Sequence, residues 1–365
     1  MNQMKALFWL ATVVVFASCS SVGNSSGESL PSVVEVVRPH YAKGFDWKKL
    51  ADSSFQITLF NLESPGDTLQ VIRWRPRDIE RVACLSTTHI PFLSALDCLQ
   101  KVKGAGFADR LMDTTAKRLY ASDELINLTT GNELEPEAVF SIAPEILFVY
   151  PFGGKSYDKF LSEGIGCVQV SEYLEKHPLG RAEWIRLFGC LMGKQAMADR
   201  IFNDIESQYV TLRDSIAKGI SNRPVVFAGS MDGDRWAVPS ANSYLATLLY
   251  DAGARYVFND TSATGNLVLP FESFYAAATT ADYWGKIIYD ENAASAASIL
   301  QGDDRLRELP AFKNQRVFVC NALLTDYHGQ ALLEPQSLLL DLHRIFTNSE
   351  LSGSNRYFKS WTFYE

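Results

Sequence analysis

From residue 198 to 216 apolar side chains recur every three or four positions, at Ala198, Ile201, Phe202, Ile205, Tyr209, Leu212 and Ile216. This is the spacing of one helix face, and Trp184, Ile185, Phe188 and Leu191 repeat it just upstream, with Gly193 marking the joint. On either side of this helical block the pattern changes to short apolar strands followed by helical stretches. Before it come Val82 to Leu85, then Ile90 to Leu99; Ile146 to Tyr150, then Ser156 to Glu163; then Cys167 to Val170. After it come Val225 to Gly229, a helix from about Asn242 to Ala252, Tyr256 to Phe258, a helix near Glu272 to Ala278, Lys286 to Tyr289, Arg316 to Val319 and Leu338 to Phe346. Strands alternating with helices form parallel βαβ units. The layout predicts an α/β fold: two Rossmann-like βα lobes joined by one long helix, with a cleft between them at the carboxyl ends of the strands.

The expected boundaries are an N-terminal lobe over 38–180, a helical linker over 181–221, a C-terminal lobe over 222–347 and a tail over 348–365. Phe55 to Asn61 and Leu69 to Trp74 flank the turn signal Ser64-Pro65-Gly66-Asp67, so a β-hairpin leads into the first lobe. Ahead of it, Lys5 precedes an apolar run from Ala6 to Ala17 that ends in Ser18-Cys19, too short to remain in a bilayer as a span. The segment resembles the lipobox of a bacterial lipoprotein, which implies a signal peptide over 1–18, a lipid on the Cys19 thiol and a Ser/Gly-rich tether over 19–37. Phe16 stands where such signals usually carry Leu, which leaves ordinary secretion as the alternative.

With 47% hydrophobic and 21% charged residues, the 365-residue chain is globular rather than disordered or polytopic. A net charge of −8 argues against a nucleic-acid partner, and the basic run Arg73, Arg75, Arg77 is broken by Trp74 and Pro76. Cys84, Cys98, Cys167, Cys190 and Cys320 show no CxxC spacing and read as small buried hydrophobes. Gly189 to Gln195 is a poor phosphate loop, lacking Ser or Thr after Lys194 and lying within helix. The five histidines show no ligand spacing, and there is no GxSxG or HExxH, so the sequence offers neither a catalytic constellation nor a resident metal site.

The run Arg81-Val82-Ala83-Cys84-Leu85-Ser86-Thr87-Thr88-His89, followed by Leu134-Glu135-Pro136-Glu137 through Pro144-Glu145-Ile146-Leu147, resembles the substrate-binding proteins of ABC importers for iron-siderophore complexes, haem and cobalamin. The resemblance extends through Ile185 to Gly189, Gly253-Ala254, Pro270 to Tyr275, Ala281 to Trp284 and Arg316 to Val319, roughly residues 80 to 346. The leading segment with Tyr41-Ala42-Lys43-Gly44-Phe45 looks like an extension of Bacteroidetes-type members. The resemblance implies a lipid-anchored periplasmic protein without enzymatic activity or resident cofactor. Its ligand would be a ferric chelate, with cobalamin or haem as alternatives, and its partner an importer permease dimer. An enzyme component that shares the lobe architecture is the alternative from another class.

Residues leaving the strand ends are the ligand candidates. Ser86, Thr87, Thr88 and His89 follow the first strand and serve either as helix caps or as contacts. Tyr150 and Phe152 follow the strand at Ile146 and are either lobe core or a ligand platform. Met231, Asp232, Arg235 and Trp236 follow the first strand of the second lobe, where a cation beside an indole suits an anionic planar chelate. Tyr327 and His328 follow the Arg316 strand and offer an iron ligand or a plain surface pair. The resemblance makes Glu137 and Glu272 the carboxylates that pair with permease arginines, Glu135 being the alternative to Glu137. Both also sit at helix starts, where the dipole favours a negative charge locally.

Overall fold

The computed structural model describes residues 31–151, 157–233, 235–258, 266–292, 294–349 and 355–362. Cys19, the signal peptide, most of the tether, Phe152 and Asp234 lie outside these residues.

The expected leading hairpin is half of a larger unit. Strands β1 (Val33–Val37), β2 (Phe45–Leu50), β3 (Phe55–Phe60) and β4 (Thr68–Trp74) form an antiparallel sheet in that order, so ordered structure begins inside the stretch assigned to the tether. The Val-Val-Glu-Val-Val run of β1 supplies the β-branched residues of an edge strand. In β3 the buried residues Phe55, Ile57 and Leu59 alternate with partly exposed ones, the period of a sheet with one face on the core. This sheet is fastened to the N-terminal lobe and the connector by two buried glutamates. Glu183 accepts the backbone N–H groups of His40, Tyr41 and Ala42, and Glu175 accepts those of Lys43 and Gly44 together with the Trp184 indole N–H at 3.0 Å.

The N-terminal lobe runs through β5 (Val82–Cys84), α1 (Ile90–Ala95), β6 (Val102–Ala105), α2 (Thr114–Ala121) and β7 (Ile126–Asn127). It continues through the small ladder of β8 (Thr129–Thr130) and β9 (Glu133–Leu134), then α3 (Pro136–Ile142), β10 (Ile146–Val149), α4 (Asp158–Ser162) and β11 (Gly166–Gln169). Its sheet has the order β11-β10-β5-β6-β7, and all its pairings are parallel. Every residue of β5 and β10 is buried, as expected of strands covered by helices on both faces.

The connector comprises α5 (Pro178–Glu183), α6 (Ile185–Leu191) and α7 (Gln195–Gly219). Gly193, at φ +67°, makes the break between α6 and α7. The apolar stripe read from the sequence faces the core through Ala198, Phe202, Ile205, Tyr209 and Ile216, while Ile201 and Leu212 are partly buried at its margin.

The C-terminal lobe contains β12 (Val225–Ala228), β13 (Ser230–Asp232), β14 (Arg235–Pro239), α8 (Tyr244–Asp251), β15 (Arg255–Tyr256), β16 (Asn266–Pro270) and α9 (Phe271–Ala278). After these come β17 (Tyr283–Ile288), α10 (Ala296–Leu300), α11 (Pro310–Lys313), β18 (Val317–Asn321), α12 (Pro335–Phe346) and β19 (Phe358–Trp361). The main sheet has the order β15-β12-β17-β18-β19, parallel except for β19. The expected C-terminal tail is therefore partly a strand of the lobe. Asp341 on α12 holds it there by accepting the backbone N–H groups of Arg356, Tyr357 and Phe358, which lets Phe358 and Trp361 bury their rings.

Candidate functional site

In both lobes the carboxyl ends of the parallel strands face one cleft of about 660 Å³. On the N-terminal side its walls are Thr87 and Thr88 after β5, and Phe107, Asp109 and Arg110 after β6; on the other side they are Tyr289 after β17, and Leu323, Asp326 and His328 after β18. A second chamber of about 400 Å³ also lies between the lobes, with Tyr173 and Arg181 facing Tyr244 and Tyr327. Chambers of this size suit a ligand of several hundred Å³ held by apolar and aromatic surface with a few polar anchors.

Phe107 carries the clearest sign of a built site. Its backbone lies in the left-handed region at φ +55°, costly for a residue with a Cβ, and is held there by N–H donation to the Thr129 hydroxyl at 2.9 Å. The Arg110 guanidinium lies over the Phe107 ring, 4.9 Å from its centroid, so an exposed cation and an aromatic face are presented together. Arg181 repeats the pairing in the second chamber. It donates to the Tyr173 carbonyl at 2.7 Å, and its guanidinium sits 3.9 Å from the centroid of Tyr244, which belongs to the other lobe. Neither arginine was among the strand-end candidates, because Arg181 lies within the connector and Arg110 follows a strand not read from the sequence.

The carboxylates nearby are mostly committed. Asp113 caps α2 by accepting the Thr115 and Ala116 N–H groups and also accepts a hydrogen bond from the Ser94 hydroxyl. Asp326 accepts the Gln330 N–H, and burial raises its pKa. Asp109, exposed on the same wall, lies 4.0 Å from the Arg110 guanidinium, so the cations facing the larger chamber are Arg110, shared with Asp109, and Lys117.

Of the predicted residues, Thr87, Thr88 and His328 line the larger chamber and Tyr327 the smaller. His328 places Nε2 2.7 Å from the Tyr289 hydroxyl, with the two rings stacked at 7°; the protein around it and the Arg181 charge lower its pKa. Burial raises the Tyr327 pKa well above the usual phenol range. Ser86 takes its capping role, accepting the Thr88 N–H at 3.2 Å. The Thr88 hydroxyl donates to buried Glu172 at 2.5 Å, and desolvation raises that carboxyl's pKa. Tyr150 is half-buried at the end of β10 and accepts the Tyr157 hydroxyl at its carbonyl.

Two expectations are corrected. His89 is fully buried beneath the cleft, edge-on to Phe148 and beside Phe188, and desolvation lowers its pKa to about 3. It reaches no ligand because the turn it closes points its ring into the lobe core. The segment after β12 is likewise no loop over the larger chamber: β13, β14 and β16 form a separate antiparallel sheet that reaches the smaller chamber at Pro239 and Asn266. Trp236 is fully buried there, stacked on Phe274 at 3.8 Å and packed beside Trp284, because alternation along β14 turns Trp236 and Val238 inward. Met231 donates its N–H to Gln301, Asp232 is in register with Arg235, and Arg235 reaches the Val268 carbonyl on the outer face. Met231, Arg235 and Trp236 line neither inter-lobe chamber.

Glu137 and Glu272 are exposed in the first turns of α3 and α9 and line neither chamber. The five cysteines outside the leader are all buried, as read from the sequence.

Residues 82–323 match the family described as periplasmic binding protein. The chain is 26% identical over 346 residues to an uncharacterized lipoprotein of Methanocaldococcus jannaschii, covering 88% of this chain and 80% of that one. Among solved structures it is similar to a siderophore-binding protein bound to ferric iron and two acinetobactin molecules, at 16% identity and a TM-score of 0.59, covering 80% of this chain and 98% of that chain. It is also similar to a periplasmic haem-binding protein from Pseudomonas aeruginosa, at 18% identity and a TM-score of 0.57, covering 78% and 99%. At these identities the two structures establish the shared two-lobe fold.

Proposed function

We propose, from the premise that this chain belongs to the periplasmic binding protein family, that it is a lipid-anchored substrate-binding protein that captures a ferric chelate of the siderophore type and delivers it to an inner-membrane ABC importer. The observation that carries this reading is the larger chamber, in which Arg110 over Phe107 faces Tyr289 and His328 across the lobes. Cations and aromatic faces opposed in this way suit an anionic, largely flat complex, and no step of bond chemistry is required of them. The connector supports modest closure, because α6 and α7 join the lobes as packed helices rather than as flexible strand crossovers.

Delivery rests on Glu137 and Glu272. Each begins the helix that leads into a strand of its own lobe, so both stand at the strand-end edge, outside the ligand chambers. Two exposed carboxylates at matching places in the two lobes suit paired arginines of a two-fold permease. The anchor rests on the Ala17-Ser18-Cys19 motif.

A haem reading is favoured by one observation: the His328 imidazole stands at the wall of the larger chamber, with its Nε2 against the Tyr289 hydroxyl, and burial lowers its pKa. The absorption spectrum of the protein purified from its native host separates these readings. A ferric-chelate charge-transfer band supports the principal one, a Soret band supports haem and a corrin spectrum supports cobalamin. A colourless protein that stays colourless on titration with all three refutes the metal-chelate reading.

A further inference from the structure

The antiparallel sheet of β1 to β4 precedes residues 82–323, the part of the chain that carries the family match. Its β3–β4 turn nevertheless reaches the site. Leu62 and Glu63 line the smaller chamber opposite Tyr244 and Tyr327. Glu63 lies close enough to the Tyr173 phenol to add to the effect of burial, which pushes that group up to about 12. Beyond the turn lies a pocket of about 420 Å³ with Phe60, Pro65 and Tyr41 on its walls; Leu62, Leu174 and Lys176 line both this pocket and the smaller chamber, so the two adjoin. The wall is anchored, since Glu175 lines both spaces while accepting the Lys43, Gly44 and Trp184 N–H groups. Gln70 of β4 also bonds β11 at both the Cys167 carbonyl and the Gln169 N–H.

We propose that this sheet is a third wall of the binding site, and that the pocket behind its β3–β4 turn holds an apolar arm, ending in an anionic group, of the ligand whose core lies between the lobes. The proposal rests on the chelate reading of the cleft. The apolar body follows from Phe60, Leu62, Pro65 and Leu174. The anionic end follows from the cations: the Lys43 ammonium is taken by the His40 carbonyl, and Lys176 makes no ion pair among the described residues. Of the remaining polar groups, His177 accepts the Leu179 N–H and burial lowers its pKa to about 4, while Glu175 takes all three N–H groups on Oε1 and burial raises its pKa.

A dansyl-labelled undecanoic acid tests this directly, since it combines an apolar chain with a carboxylate and contains no metal. Titrated into the protein, it should show a blue-shifted gain in fluorescence. Leu62→Asp in the turn and Lys176→Glu at an exposed position should each weaken its binding by about tenfold or more. Val71→Ser, on the same sheet but outside the pocket, should leave it within about twofold. No fluorescence gain, or equal affinity in both variants, would overturn the proposal. Titrations with hemin, cyanocobalamin and a ferric hydroxamate read the cleft separately. A protein that takes one of these but not the dansyl acid loses the third wall and keeps the cleft; one that takes only the dansyl acid does the reverse.

Discussion

The two lobes share one architecture but serve the cleft differently. In the N-terminal lobe the first strand, β5, opens directly into the site through Thr87 and Thr88. In the C-terminal lobe the first strand, β12, exits into a hairpin whose indole is buried under α9, and the wall comes from the exits of β17 and β18 instead. A strand end in a parallel sheet is thus a place where a site can form, and the path of the chain after it decides whether one does.

The largest expected effect contrasts the two first-strand exits. Trp236→Ala should destabilise the protein by about 3–5 kcal/mol, the cost of emptying a large aromatic site in a packed core, measured by denaturant unfolding. If it is instead stable and loses ligand affinity, the hairpin belongs to the cleft and the contrast fails. Next, Arg181→Ala should weaken chelate binding by about 2 kcal/mol, roughly thirtyfold, because it removes the cation that stacks across the lobes on Tyr244. Calorimetric titration checks this, and an unchanged affinity would confine the ligand to the larger chamber.

The floor of the N-terminal exit sharpens the comparison through pH. Burial holds His89 at about 3, below its ordinary 6.5, so the unfolded chain binds the proton more readily. Its stabilising contribution is complete above pH 6.5 and is lost as the pH falls from 6.5 toward 3, with a limiting slope of about 1.4 kcal/mol per pH unit. His177 adds a similar slope over a shorter range, down to about 4. Buried Glu172 and Glu175 act in the opposite sense, since their raised pKa values favour the folded state as they take up protons. Comparing the unfolding free energies of the protein and of His89→Leu across this window isolates the His89 contribution, and parallel curves would place His89 in contact with water. The smallest effect is expected at Glu137 and Glu272, the carboxylates proposed for docking. Glu137→Ala and Glu272→Ala should each change stability by no more than about 0.5 kcal/mol, while the double variant abolishes uptake in cells.

The lobes and the connector were legible because they rest on local periodicity: the α7 stripe, and short apolar strands bounded by helices. The N-terminal site was half legible. Thr87 and Thr88 follow a strand visible as an apolar run, but Val102-Lys103-Gly104-Ala105 hid β6, and with it Phe107 and Arg110. Gly104 and the following Gly106 pack closely, since a Cβ at Gly104 would stand 2.5 Å from the Ile142 Cδ1 and one at Gly106 2.6 Å from the Leu85 carbonyl oxygen. In the C-terminal lobe Gly233-Asp234 is a hairpin signal, and Gly233 at φ +63° follows the paired Asp232 as one. It would have put Trp236 on a strand. Arg181 carried no local mark, because its partners Tyr173 and Tyr244 meet it only through the tertiary fold.

The central claim is that a metal chelate binds between the Phe107–Arg110 face and the Tyr289–His328 face. Affinities for hemin, cyanocobalamin and a ferric hydroxamate, measured by tryptophan quenching and absorption on the protein and on Arg110→Ala, test it most directly. The account predicts that at least one of the three binds and that Arg110→Ala weakens it about tenfold or more, with the melting temperature unchanged. Binding that ignores Arg110→Ala, or no binding of any of the three, would contradict it.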